Sequence, residues 1–253
     1  MRENLTLFSP LEQFEIISLV PLSIFNLNIS FTNSTLFLLI SILICLFWIS
    51  LSFYKNLIVP SYWQIGKENL YVLTANLVRD NLGLKGEKYF PFIFTLHLFL
   101  LFCNLIGMVP YSFTVTSHIV FTFSLALLIF IGINMIGIQT HGILFFSLFL
   151  PRGVPLVIVP LLVTIEFLSY IVKVFTLSIR LFANMTSGHT LLKIIAGFSW
   201  TMLNAGGLLA IFHIVPLLLL LALIGLELAI AGLQAYVFTL LTCIYLNDVL
   251  DLH

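Results

Sequence analysis

Two apolar stretches, residues 156–198 and 208–246, each continue for about 40 positions. A helix of that length reaches roughly 60 Å, about twice the hydrocarbon thickness of a bilayer. Three shorter apolar runs, 36–53, 92–108 and 118–138, come close to the roughly 20 residues that cross a bilayer once. Only 8% of the 253 residues are charged, against about 25% in a soluble domain. The expected fold is an all-α polytopic membrane protein with about five membrane-crossing helices. We read it as one membrane-embedded domain over residues 1–253: an N-terminal segment (1–33), three spans with surface segments (34–155), and a long helical hairpin (156–253).

The polar interlude 55–88 mixes Tyr62, Trp63 and Tyr71 with charges, a pattern suited to an interfacial amphipathic helix. The apolar piece 143–150 is too short to cross and fits the interface. Each long stretch either breaks into two helices or lies steeply tilted. The tilted hairpin is the favoured form, turning at Asn204-Ala205-Gly206-Gly207. Pro160 and Pro216 fall near the starts of the two stretches, where proline is best tolerated, although Pro216 could kink the second. Lys55, Lys67, Arg79, Lys85, Lys88 and Arg152 gather on one side, which the positive-inside rule makes the inner face. The N-terminus is then expected outside and the C-terminus inside.

Arg180 lies deep in the first long stretch. A guanidinium stays protonated, so burial cannot neutralise it, and placing it near a bilayer centre costs at least about 2.5–3.5 kcal/mol on insertion scales. Glu166, Lys173 and Arg180 recur every seven residues, and Asn184 and Ser187 extend the row. Such spacing keeps them on one helical face. His189 and Lys193 follow toward the outer end. In the second stretch His213, Glu227, Gln234 and Asp248 are separated by multiples of seven. The pairs Gly225/Ala229 and Ala231/Ala235 accompany that stripe and permit close helix approach.

Plainer readings exist for single members. Gln234 alone fits an interhelical hydrogen bond, Lys193 fits a snorkelling lysine, and Asp248 fits a solvated helix end. Lys173 either reaches water or pairs with a carboxylate. His213 is either a stripe member or an interfacial histidine. His97, His118 and His141 are isolated and read as structural. Two coincident charged stripes are harder to explain by packing. Groups that exchange protons lie on both sides of one permanent cation, which suggests two proton half-paths separated by a positive barrier.

Other chemistry finds little support. Net charge is zero, arguing against a nucleic-acid partner. Cys45, Cys103 and Cys243 are scattered in apolar runs and read as small buried thiols, with no metal spacing. There is no phosphate loop and no sign of a cofactor. A secondary transporter would carry inverted repeats, which the two halves lack. A purely structural membrane scaffold would leave Arg180 unexplained.

The run Ser178-Ile179-Arg180-Leu181-Phe182-Ala183-Asn184, continuing to His189, resembles the signature of subunit a of the F-type ATP synthase. Asn104 to Tyr111 resembles an earlier motif of that family, Glu227 with Gln234 its last helix, and Ser9 to Phe14 the start of mitochondrial members. The resemblance implies a non-catalytic proton-channel subunit in the mitochondrial inner membrane, without cofactor or metal. The implied partners are the c-ring, peripheral-stalk and other membrane-sector subunits, lipids, and a second complex in a dimer. By the same resemblance Arg180 is the essential charge barrier and partner of a ring carboxylate. His189 and Glu227 match the outer proton path, Glu166 and Asp248 the inner one, and Asn184 and Gln234 polar neighbours of the arginine; from the stripes alone, His213 joins the outer path and Lys173 the polar neighbours.

Overall fold

The computed structural model describes residues 9, 11–24, 27–28, 30–51, 60–109, 112–149, 158–207 and 209–250. Five of its helices or helical runs are long and apolar enough to cross a membrane. Beyond the helices, the described residues hold only two small antiparallel strand pairs near the N-terminus.

The first helix, α1 (Asn33–Leu51), begins where the Asn33 side chain ties back to the N-terminal segment. Its Oδ1 accepts from Ile17 N–H and its Nδ2 donates to the Glu15 carbonyl. The half-polar helix α2 (Tyr62–Leu82) buries Thr74, Leu77, Val78 and Leu82 and leaves Tyr62, Trp63 and Tyr71 exposed, as an interfacial helix should. It ends at Gly83, whose φ of 60° suits a residue without Cβ. A 3₁₀ segment, Gly83–Tyr89, leads into α3 (Phe90–Gly107), which carries Pro91 in its first turn. A buried polar loop with a 3₁₀ turn at Val115–Ser117 joins α3 to α4 (Ile119–His141). The apolar piece after α4 forms a 3₁₀ segment, Gly142–Phe149. The basic residues Lys55 and Arg152 lie outside the described residues.

The first long stretch is one uninterrupted helix, α5 (Val159–Ala205, 47 residues), about 70 Å long at 1.5 Å per residue. It therefore stays continuous where a two-helix alternative would have broken it. Gly206 and Gly207, at φ 70° and 61°, make the turn. The second stretch departs from expectation. It opens with one helical turn, α6 (Leu209–Phe212), then breaks at His213 before α7 (Ile214–Leu250). Pro216 explains the break: it has no N–H to offer the Phe212 carbonyl, and its ring crowds that carbonyl. Proline thus ends the short turn and starts α7, rather than kinking the long helix.

The core joins α2, α3, α4, α5 and α7. Leu77, Ile93, Leu100, Ile133, Leu181, Phe238 and Leu246 are among its buried members. Helix α7 packs against α3 and antiparallel to α5, and α4 packs against both α5 and α7. The two small-residue pairs of α7 separate. Ala231 and Ala235 are fully buried, and the Ala231 carbonyl accepts from Asn104 Nδ2 of α3 at 3.2 Å. Gly225 and Ala229 remain exposed. One pair draws the bundle together and the other leaves a shallow open face.

Candidate functional site

Three contacts fix the register of the α5–α7 hairpin. Lys173 Nζ donates to Asp248 Oδ2 at 3.1 Å. Asn184 Nδ2 donates to Gln234 Oε1 at 3.0 Å. His189 Nδ1 lies 3.6 Å from Glu227 Oε1. As the number rises on one helix it falls on the other, as antiparallel neighbours require. The two sequence stripes do face each other, and polar groups meet along the seam at three levels.

The levels differ in their surroundings. The Lys173 and Asp248 side chains are 31% and 41% exposed. Lys173 also lies over the rings of Tyr170 and Tyr245, at 5.7 and 5.0 Å from their centroids. Tyr170 in turn donates to Asn134 Oδ1 of α4 at 2.7 Å. The His189 and Glu227 side chains are only 16% and 5% exposed. Both Glu227 oxygens and His189 Nε2 are buried without a hydrogen-bond partner. Glycine at 188 makes room for this pair. A Cβ there would stand 2.6 Å from Glu227 Oε1 and 3.0 Å from its carboxyl carbon.

Arg180 sits between these levels, one helical turn from Asn184 and two from Lys173. It is half-buried, and among the described residues no carboxylate pairs with it. The surrounding surface is apolar and open: Val172, Ile179 and Leu191 of α5, and Leu226, Leu233 and Tyr236 of α7, are all exposed. Small side chains at Thr176, Ala183 and Ser187 interrupt it.

Two expected members stand apart from these contacts. Glu166 is exposed near the start of α5, two turns beyond Lys173, and pairs with no described residue. His213 lies at the break before α7, 14 residues or roughly 21 Å of helix from Glu227. Lys193 donates from Nζ to the Ser9 carbonyl at 3.3 Å, and Phe14 presents its ring edge to His189 at 6.4 Å between centroids. The N-terminal segment thus covers the His189 end of α5.

The family model for the ATP synthase A chain matches residues 34–247. Over the full length of both chains, the protein is 77% identical to ATP synthase subunit a of Chondrus crispus. It is 51% identical to ATP synthase subunit a of Marchantia polymorpha, over 97% of this chain and 99% of the relative. The same comparison with Brassica napus gives 50% over the whole of both chains. The chain belongs to the ATP synthase A-chain family. Membership makes it a proton-translocating subunit of the membrane sector, one part of a larger complex. Its five membrane-crossing segments agree with a multi-pass member of that family.

Within this family member, sequence reasoning passed over several contacts that brace the seam. Asn104 holds α3 to α7 through the Ala231 carbonyl, one turn from Glu227. His97 Nδ1 lies 3.3 Å from Thr239 Oγ1. Thr122 and Ser178 join α4 to α5 at 3.2 Å, beside Arg180. Solitary Asn, Thr and Ser residues leave no periodic trace. Only the family motif around Asn104 offered a signal.

Proposed function

We propose that this chain carries protons across the mitochondrial inner membrane along two offset half-paths that communicate only through a rotating ring of partner subunits. A proton enters from the outer side toward His189 and Glu227. It neutralises a carboxylate on the adjacent ring subunit, and the neutral acid passes into lipid far more cheaply than the anion would. Rotation brings a loaded site round to the inner path. There Arg180 favours the anion, and the proton leaves past Asp248 and Glu166. The membrane potential contributes about 2.3 kcal/mol per charge per 100 mV. Ring rotation is coupled in this way to ATP synthesis on other subunits, and peripheral-stalk subunits hold this chain still.

The observation that carries this reading is the state of Arg180. It is mid-helix and half-buried, has no carboxylate partner among the described residues, and borders an exposed apolar face. A permanent cation in a span ordinarily has a counter-charge or a water path, and a carboxylate brought by a partner supplies the first. Continuous passage of α5 and α7 through the seam speaks against a transporter built on helices broken at the membrane midplane.

The test is cross-linking in the assembled complex. Cysteines at Ala183, Ser187 and Leu233 should cross-link to a ring subunit, whereas a cysteine at Phe47, exposed on α1 where that helix packs on α3, should not. Cross-links from Phe47 alone would reverse the docking. Arg180→Ala should leave assembly intact and abolish proton-driven ATP synthesis; normal synthesis in that variant would end the reading.

A further inference from the structure

Eight buried side-chain polar atoms among the described residues have no hydrogen-bond partner, and one of them, Gln64 Oε1, lies on α2. The other seven fall on four elements that meet at the His189 end of the hairpin. They are Asn104 Oδ1 on α3, Thr116 Oγ1 and His118 Nε2 in the loop before α4, His189 Nε2 on α5, and Glu227 Oε1, Glu227 Oε2 and Gln234 Nε2 on α7. An unpaired buried polar group costs about 1–3 kcal/mol, so a cluster of them marks a place built for something that pairs with it.

Direct contacts join these elements. Thr186 Oγ1 donates to the Ser117 carbonyl at 3.3 Å, and Thr186 lies three residues before His189 on α5. At the end of α3, a Cβ on Gly107 would stand 2.7 Å from Thr114 Cγ2, so loop and helix touch there. Asn104, one turn earlier, grips the Ala231 carbonyl one turn from Glu227. The loop is itself buried: Thr114, Thr116 and Ser117 are at most 4% exposed. Water bridging two to four polar groups is the ordinary occupant of such a space.

His118 differs from the other two isolated histidines. His97 engages Thr239, and His141 Nε2 lies 3.1 Å from the Leu250 carbonyl. His118 stacks on Phe113 with centroids 5.0 Å apart and planes 20° apart, is part-exposed at the start of α4, and keeps Nε2 buried and unpartnered. Burial also pushes its imidazole below the ordinary histidine range, which favours the neutral ring between proton transfers.

We propose that His118, with the hydroxyl of Thr116, relays protons from the outer surface into the His189–Glu227 site, making the loop before α4 a third wall of the outer path. The imidazole takes a proton from water at its part-exposed edge and becomes an imidazolium. It then gives a proton to bridging water on the inner side, and a flip of the ring restores the starting tautomer. The net result is one proton moved inward, with no other bond changed. The inference rests on the two-half-path reading. The other titratable groups packed on this side are His189 and Lys193 on α5, Glu227 on α7, and Glu12 and Glu15 in the N-terminal segment.

The experiment uses the intact complex in sealed vesicles, with ATP synthesis measured against the pH of the outer compartment at fixed inner pH and potential. His118→Ala should slow synthesis at alkaline outer pH by about tenfold, below the roughly 10²–10⁴-fold of a group acting in the rate-setting transfer itself. Acidifying that side, or adding imidazole to it, should restore the rate. His118→Phe keeps a ring against Phe113 but carries no nitrogen; it should be equally slow, and imidazole should not help. Thr116→Val should slow synthesis in the same alkaline range. A parental rate in His118→Phe, or a loss in His118→Ala relieved by neither acid nor imidazole, would reduce His118 to packing and overturn the relay. Arg180→Ala runs in parallel. Synthesis there would sink the half-path reading, whereas loss there with full activity in the His118 variants would sink the relay alone.

Discussion

The α5–α7 seam has two charged levels that use the same chemistry to opposite ends. At the level of Lys173 and Asp248, cation and anion meet at hydrogen-bond distance, about a third exposed, with two aromatic rings under the ammonium. That pair is settled. At the level of His189 and Glu227, the partners stand 3.6 Å apart in a buried site, and both carboxylate oxygens lack a hydrogen bond to another side chain or the backbone. That pair is unsettled, and a proton changes its energy greatly because little else compensates the charge. The difference teaches how one hairpin can hold one charged pair against water and another away from it. The water-facing level pairs its charges directly, whereas the buried level leaves a carboxyl group without a hydrogen bond.

The largest effect should come from removing the cation between the levels. Arg180→Ala should bring coupled synthesis to background while the complex still assembles, measured by ATP formation in energised vesicles. Glu227→Gln, which keeps shape and removes titration, should lower proton entry from the outer side by about 10²-fold or more, the scale of a lost acid–base group. Flux unchanged across outer pH would erase the contrast between the two levels. Asn184→Leu should have an intermediate effect. It strands Gln234 without its partner in a buried setting, at a cost of about 1–3 kcal/mol, and a double-mutant cycle with Gln234→Leu should recover much of that. Lys173→Met should be the mildest. A pair this exposed contributes about 0.2–1 kcal/mol, so assembly should persist and synthesis should fall only a few-fold. A collapse of activity as deep as that of Glu227→Gln would show that the two levels are not so different.

Much of the architecture could be read from the sequence, because crossing segments announce themselves by length and composition. The observed helices 33–51, 90–107 and 119–141 overlap the expected runs 36–53, 92–108 and 118–138. The site was legible in its faces but not in its register. Seven-residue spacing says that Glu227, Gln234 and Asp248 share one face of α7, yet nothing in that spacing sets how far α7 slides along α5. The observed pairing of 173 with 248 and 189 with 227 depends on where the Gly206-Gly207 turn and Pro216 place the second helix. His213 shows the limit of the argument. Its 14-residue separation from Glu227 keeps phase only if the helix is continuous, and the break at His213 removes that condition. Thr116 and His118 lie in a loop and at a helix end, where no periodicity relates them to the seam, and Asn104 is marked only by the family motif around it.

Gly188 gives the buried level an unusual kind of control. Nineteen of the twenty amino acids begin their side chains with a carbon, and that carbon would fall against the Glu227 carboxyl group. The obstacle is the far tip of a bendable chain, so a Gly188→Ala protein should fold and join its complex. What it could not keep is the aim of the acid. The carboxyl group has its place because the neighbouring helix lacks a methyl there, and restoring that methyl would turn the acid away from His189 without unmaking the hairpin.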